Sequence, residues 1–218
     1  IAQSNLIGDK SILQVLWGGA EDPDMIYAAS GFGVVALNIR TLDVRDTWYL
    51  EGQQNLRRCA GISVRQSDDS GPDSYVVWTD AGIFEAPVDH PFLSSPEAWT
   101  RWSDIPLETA AYSNVIFAPE GDVIVHLKTG DASTPDELWL LNEGLWSTFP
   151  GWESNVILDL ASTQINEGNA GWRVAIADFQ SIRLFDSNYQ QVQLDYSADG
   201  IPLRVRDMVF KNKSTVSG

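Results

Sequence analysis

The sequence predicts an all-β fold of the β-propeller type, in which four-stranded antiparallel sheets, or blades, follow one another along the chain. A short pattern occurs four times: an apolar strand, a Gly or polar turn, a second apolar strand and an aromatic-rich segment. If Gly33, Gly82, Glu137 and Ser181 are equivalent, the pattern returns after 49, 55 and 44 residues. A period of this size, made only of strands, is typical of propeller blades.

The residue pattern between the turns also favours strands over helices. Short runs rich in Val, Ile, Trp, Tyr and Phe are bounded by Gly, Asn, Asp and Pro, and no stretch keeps a 3.6-residue apolar period. Apolar residues make up 44% of the 218 residues, which argues against a disordered chain. Because one blade cannot bury both of its faces alone, residues 1–218 are interpreted as one propeller segment whose blades cover each other.

The first two blades are predicted at about residues 11–50 and 58–106. In the first blade, strands are expected at residues 11–17, 25–30, 33–41 and 43–50. In the second, they are expected at residues 58–65, 74–79, 82–88 and 99–106, with a loop at residues 89–96 that lengthens the third turn.

The third and fourth blades are predicted at about residues 113–150 and 155–196. The third has expected strands at residues 113–118, 122–128, 137–142 and 145–150, and an insertion at residues 129–135 explains the longest spacing. The fourth has expected strands at residues 155–162, 171–178, 181–185 and 191–196.

A second motif repeats in the outermost strands. Trp102 and Trp146 each begin a Trp-Ser-x-apolar-Pro sequence, and they lie 44 residues apart. A Pro that closes an edge strand blocks pairing with other sheets. We interpret the two Trp side chains as covers for the seam to the next blade, and a ligand-stacking platform is the alternative.

Residues 204–210 are predicted to start another blade, and residues 1–10 resemble the end of an earlier element. Four blades and a fraction close a ring only with difficulty. The sequence therefore predicts a segment of a larger propeller.

The charge of the chain limits its partners. It carries 14 Lys and Arg against 30 Asp and Glu, a formal net charge of −16. Binding to a phosphate backbone requires Lys and Arg, so nucleic acid is not expected as a partner. The sequence has no run of 18 apolar residues that predicts a membrane span, and residues 1–20 lack the pattern of a secretory signal.

Acidic residues recur in the predicted loops between the first and second strands of the blades. In a propeller these loops emerge on one rim, so the sequence predicts an acidic face. Its residues are either ordinary solvated turn residues or a functional surface. The two functional alternatives are docking of a partner with a basic surface and a Ca²⁺ site, although the spacing does not follow a calcium loop. The residues concerned are Glu21, Asp22, Asp24, Asp68, Asp69, Asp73, Glu120, Asp122 and Glu167.

The sequence predicts no catalytic, metal or cofactor site. Cys59 is the only cysteine and lies in an apolar stretch, which indicates a buried inert thiol. His90 and His126 have no second His or Cys at metal-ligand spacing. No Gly-x-Ser-x-Gly elbow, Gly-rich phosphate loop or sialidase Asp box is present. Glycoside hydrolysis, a use of this fold that needs two carboxylates in a central pocket, is the remaining enzymatic alternative.

Part of the chain resembles a known family. Residues 5–12, 28–38, 42–49, 78–86 and 99–102 resemble, in order, the N-terminal propeller of the PorZ family, accessory proteins of the bacterial type IX secretion system. The apolar-Ala-Ser/Thr-x-x-Gly-apolar turn is also similar to propeller repeats in the sensory ectodomains of two-component regulators.

The first resemblance implies a non-catalytic interaction scaffold that is exported to the periplasm or cell surface, where a surface sortase is the implied protein partner. The second implies an ectodomain whose propeller senses a saccharide or another small ligand.

Overall fold

A computed structural model describes most of the chain. The described residues are 9–19, 22–67, 71–118, 121–129, 134–152, 156–165, 171–178 and 181–192. The predicted strand at residues 204–210 lies outside them.

The described residues form four antiparallel sheets of four strands each, and in every sheet the strand order follows the chain. The one helical segment among these residues is a single 3₁₀ turn, Pro96–Ala98. The predicted fold class, all-β with propeller-type blades, is therefore confirmed. The chain divides into two compact units, residues 1–115 and residues 116–218.

The first unit contains two complete sheets. Sheet 1 consists of β1 (Ile12–Trp17), β2 (Met25–Ser30), β3 (Gly33–Asn38) and β4 (Asp43–Trp48). Sheet 2 consists of β5 (Cys59–Arg65), β6 (Ser74–Thr79), β7 (Gly82–Pro87) and β8 (Thr100–Arg101).

The other two sheets follow in the same way, and the boundary between the units falls inside β9. Sheet 3 consists of β9 (Tyr112–Phe117), β10 (Val123–Leu127), β11 (Glu137–Asn142) and β12 (Leu145–Thr148). Sheet 4 consists of β13 (Asp159–Ile165), β14 (Gly171–Ala177), β15 (Ile182–Phe185) and β16 (Gln191–Val192).

The turn between second and third strands has the same construction in sheets 1 and 2. The Ser30 hydroxyl donates to the Gly33 carbonyl at 2.8 Å, and the Thr79 hydroxyl donates to the Gly82 carbonyl at 2.9 Å. Gly33 has φ +147° and Gly82 has φ +123°, values that side-chain-bearing residues rarely adopt. The Ser/Thr-x-x-Gly repeat in the sequence is thus a local turn motif with its own hydrogen bond.

Sheets 1 and 2 pack face to face through a core of aromatic and aliphatic side chains. Trp48 on β4 is central to it, with ring centroids 5.2 Å from Tyr27, 5.1 Å from Tyr75 and 5.6 Å from Trp99. All four side chains are buried. Such aromatic contacts stabilise the pair of sheets beyond simple area burial.

The second unit has its own core. Phe149 stacks edge to face on Phe185 at 5.0 Å and on Tyr189 at 5.5 Å, and Trp172 packs on Tyr189 at 5.7 Å. Aliphatic residues of β10, β11, β13 and β14 complete this core. Each unit therefore buries apolar faces between its own strands.

Candidate interaction surface

Four of the nine predicted acidic loop residues lie within the described part of the chain: Asp22, Asp24, Asp73 and Asp122. The other five lie outside it: Glu21, Asp68, Asp69, Glu120 and Glu167. The acidic face as a whole therefore stays a prediction, and the four described residues show how its loops are built.

In the first unit, the loops that carry Asp22 and Asp73 reach the same edge. Asp73 directly precedes β6, and Tyr75 on β6 packs on Tyr27 of β2 with ring centroids 5.1 Å apart. Burial, a hydrogen bond with Tyr27 and the charge of Asp22 all raise the pKa of the Tyr75 hydroxyl. Tyr27 and Tyr75 lie near the starts of β2 and β6, so Asp24 and Asp73, which directly precede these strands, lie at the same edge.

The carboxylates at this edge differ in what they already contact. Asp73 Oδ1 accepts a hydrogen bond from the Ser67 amide at 3.0 Å, which holds the β5–β6 loop. Asp24 lies 3.6 Å from the Arg40 guanidinium in an exposed pair, an interaction worth about 1 kcal/mol or less in water. Asp22 is exposed. Asp22 and Asp24 thus present accessible charge, whereas Asp73 has a structural contact.

In the second unit, Asp122 is part of an internal network. Asn142 Nδ2 donates to both carboxylate oxygens of Asp122 at 3.0 Å, and the Tyr189 hydroxyl donates to Oδ2. These bonds join the loop before β10 to the end of β11 and to the loop before β16. The Asp122 charge is therefore used to hold three segments in place.

The residues considered for chemistry have local roles. His90 Nδ1 accepts a hydrogen bond from the Phe92 amide at 3.2 Å. Cys59 is fully buried, and burial together with the charge of Asp80 raises the pKa of its thiol, which makes it a poor nucleophile. Among the described residues, no group of three or more His, Cys, Asp or Glu side chains is placed to hold a metal ion.

A buried pair of polar residues was not anticipated from the sequence. His126 on β10 and Asp136 before β11 are both buried, and Nε2 lies 3.2 Å from Oδ2. Asp136 Oδ2 also accepts the Ile157 amide at 3.1 Å and Oδ1 the Thr129 amide at 3.4 Å. Burial alone would raise the pKa of Asp136, but the neighbouring His126 and these two amides outweigh burial and lower it. Asp136 thus connects the Thr129 and Ile157 amides beside His126, which indicates a structural junction.

No helix in the described ranges is long and apolar enough to cross a membrane.

Comparison with solved structures identifies similar folds. The chain is similar to PorZ, an essential bacterial surface component of the type IX secretion system of Porphyromonas gingivalis, with a TM-score of 0.56 and 15% identity over 89% of this chain. It is also similar to the extracellular domain of the putative hybrid two-component system BT3049 of B. thetaiotaomicron, with a TM-score of 0.54 and 15% identity over 88% of this chain. The chain spans 22% of the PorZ chain and 25% of the BT3049 chain.

A third similar structure is BBS1N, solved in complex with ARL6DN, with a TM-score of 0.51 and 13% identity over 84% of this chain and 54% of that chain. No protein-family model and no curated protein sequence matches the chain. At these identities the likeness establishes the propeller-type fold and confirms, at the level of fold, the resemblance to PorZ and to two-component ectodomains.

Proposed function

We propose that this chain is part of a β-propeller that serves as a non-catalytic interaction scaffold of an exported protein, in the manner of a type IX secretion accessory protein. The observation that carries the proposal is the succession of four-stranded sheets with acidic first loops, on a fold similar to that of a bacterial surface component. The periplasm or the cell surface is the corresponding compartment, and a surface sortase is the partner that the PorZ resemblance suggests.

The charge distribution supports a partner with a basic surface. Asp22 and Asp24 are accessible next to the start of β2, and the whole chain carries a net charge of −16. Opposite charges on two surfaces accelerate their encounter, and salt screens this effect over about 8 Å at physiological ionic strength. The proposed complex should therefore form more slowly as salt rises.

The test begins with affinity purification of the tagged protein from native cell envelope, followed by mass spectrometry of the proteins that co-purify. The association rate of the protein with the identified partner is then measured at several salt concentrations. Asp22→Asn combined with Asp24→Asn should lower the association rate several-fold and flatten its salt dependence, because these side chains supply accessible charge.

A matched control removes equal charge from the other end of the sheets. Asp80 lies in the β6–β7 turn, and the Glu108 carbonyl approaches Gly82 at the same turn. Asp80→Asn combined with Glu108→Gln should leave the association rate nearly unchanged. Equal rates for both double variants, or an association rate that ignores salt, would contradict docking at the acidic edge.

A ligand-sensing ectodomain is the second candidate function, since the likeness to the BT3049 extracellular domain is nearly as close as the likeness to PorZ. A membrane span and a kinase elsewhere in the complete polypeptide would favour the sensor. Binding of a saccharide library without co-purifying protein would do the same, whereas a β-sandwich domain after the propeller would favour the secretion protein.

A further inference from the structure

Sheet 1 has one covered and one uncovered face. Tyr27, Ala29 and Trp48 face sheet 2 and are buried in the core between the two sheets. On the opposite face, three large apolar side chains of β1 are exposed: Ile12 by 54%, Val15 by 51% and Trp17 by 57%. We call these three residues the β1 strip.

Strand β5 of sheet 2 is built like β1, which allows the two strands to be compared residue by residue. In β1 the pairing with β2 shifts between Ile12 and Gln14, and in β5 the pairing with β6 shifts between Cys59 and Gly61. The same irregularity thus occurs at the same point. Ile12 corresponds to Cys59 and Val15 corresponds to Ile62.

The corresponding residues of β5 are completely buried. Cys59 and Ile62 are both 0% exposed and belong to the core that sheet 2 shares with sheet 1. The contact includes one polar bond, since Gln14 Oε1 of sheet 1 accepts the backbone amide of Ile62 at 2.7 Å. The amide of Val15 occupies the corresponding place in sheet 1.

The uncovered region is confined to part of the face. Ala28 and Val35, in the middle of the same face, are buried together with Phe32, and Tyr49 and Leu56 pack against them. The β1 strip lies beside this cluster. Burial of apolar surface contributes about 25 cal/mol per Å², and soluble proteins rarely leave contiguous apolar patches open without an interaction to make.

We propose that the β1 strip is covered by a further four-stranded sheet of the same polypeptide, which packs on sheet 1 as sheet 1 packs on sheet 2. A side chain of that sheet's first strand would accept a hydrogen bond from the Val15 amide, as Gln14 accepts one from the Ile62 amide. A large aromatic side chain of its last strand would pack on sheet 1, as Trp48 of sheet 1 packs on Tyr75 of sheet 2. Continuity with the existing interface supports this partner, because the strand irregularity and the apolar positions are the same. The occupant does not depend on whether the propeller is a secretion scaffold or a sensor.

The test measures thiol accessibility in the complete polypeptide as its gene encodes it. Val15→Cys is compared with Gln53→Cys, which lies in the exposed loop after β4, by the rate of reaction with a maleimide under native conditions. Native Cys59 provides a fully buried reference in the same molecules. Protection of the residue-15 thiol by about tenfold or more relative to the residue-53 thiol is expected, with no dependence on protein concentration.

The same pair of variants in the 218-residue chain should give two thiols of similar reactivity, within about twofold. Equal reactivity in the complete polypeptide would overturn the proposal. Protection that increases with protein concentration would also overturn it and assign the strip to a second copy. If the residue-15 thiol is already fully protected in the dilute 218-residue chain, residues of this chain itself cover the β1 strip and the proposal is wrong.

Discussion

Single residues determine where the turns of this fold can form. At Gly33 and Gly82 the backbone has positive φ, and the neighbouring Ser30 and Thr79 hydroxyls bond to the glycine carbonyls. Added side-chain atoms have no room at either glycine: a Cβ at Gly82 would lie 2.6 Å from the Glu108 carbonyl oxygen. The motif that reveals the repeat in the sequence is therefore conformational in origin, and it carries no information about ligands.

Gly33→Ala should destabilise the first unit by about 2 kcal/mol or more, because the substitution combines an unfavourable φ with overlap against the Trp48 carbonyl oxygen. Chemical unfolding followed by circular dichroism measures the change. Gly52→Ala is the matched control, since Gly52 also has positive φ (+88°) but its nearest neighbour is Pro96 Cγ at 3.6 Å. The control should lose only about 1 kcal/mol. Equal losses in both variants would show that overlap at Gly33 is unimportant.

Asp136 is a buried residue of the second unit whose ionisation is expected to affect stability. Asp136→Asn should lower the free energy of unfolding at pH 7 by about 2 kcal/mol, because the neutral amide cannot replace a carboxylate that accepts from two backbone amides and faces His126. Urea unfolding at several pH values measures the effect, and Asp89→Asn, at an exposed loop residue, is the control.

The pH dependence follows from the lowered pKa of Asp136 in the folded chain. An unfolded chain binds this proton at the ordinary Asp value of 3.8, whereas the folded chain binds it only at lower pH. The stabilisation is therefore complete above that value and is lost as the pH falls through the folded pKa. The difference between the parent protein and Asp136→Asn should shrink below about pH 4. A constant difference from pH 7 to pH 3 would contradict this role.

At the scale of strands and sheets, pairing of neighbouring blades depends on side chains of the outermost strands. Trp48 ends β4 and contacts three other aromatic rings from both sheets of the first unit. In contrast, Trp102, which the sequence motif selected, is partly buried, donates to Glu85 at 2.7 Å and lies under the Arg65 guanidinium. Trp48 is thus one of the side chains that join the two sheets.

Trp48→Ala should cost about 3 to 5 kcal/mol, as expected for removal of a buried aromatic side chain that leaves a cavity. Trp17→Ala, at a position 57% exposed, should cost less than about 1 kcal/mol in the same chain. Thermal unfolding of both variants provides the comparison. A small loss for Trp48→Ala would mean that the two sheets do not depend on this contact.

Strand limits show what sequence patterns can and cannot predict. Strands β2 and β6 lie at the predicted residues because apolar runs end there at turn motifs. The predicted strand at residues 33–41 ends earlier, at Asn38, whose side chain accepts the Arg40 and Thr41 amides and starts a turn, with Leu42 at φ +57°. The last strand of sheet 2, expected at residues 99–106, contains only Thr100–Arg101, and the 3₁₀ turn Pro96–Ala98 lies just before its start. At Asn38 a side-chain bond to the backbone sets the strand end, and the apolar pattern of the sequence does not reveal such bonds.

At the scale of the whole molecule, the repeat and the absence of helical periodicity were sufficient to predict the fold class. The candidate site was less accessible to prediction. Spacing placed Asp22, Asp24 and Asp73 in equivalent loops, but it gave no indication that Asp122 bonds to Asn142 and Tyr189 or that Asp136 is buried with His126. These contacts join residues distant in sequence, and pairwise burial of polar groups leaves no local pattern.

Each sheet consists of strands that follow one another directly in the chain, so every sheet can be completed from fewer than about fifty consecutive residues. Contacts between residues near in sequence form early and do not have to wait for the distant C-terminus. Such a chain is suited to vectorial folding, in which each sheet forms as soon as its residues emerge during synthesis. The hydrophobic surface left open at any moment is then confined to two flanks, that of the most recently completed sheet and the outer one of the first sheet to form.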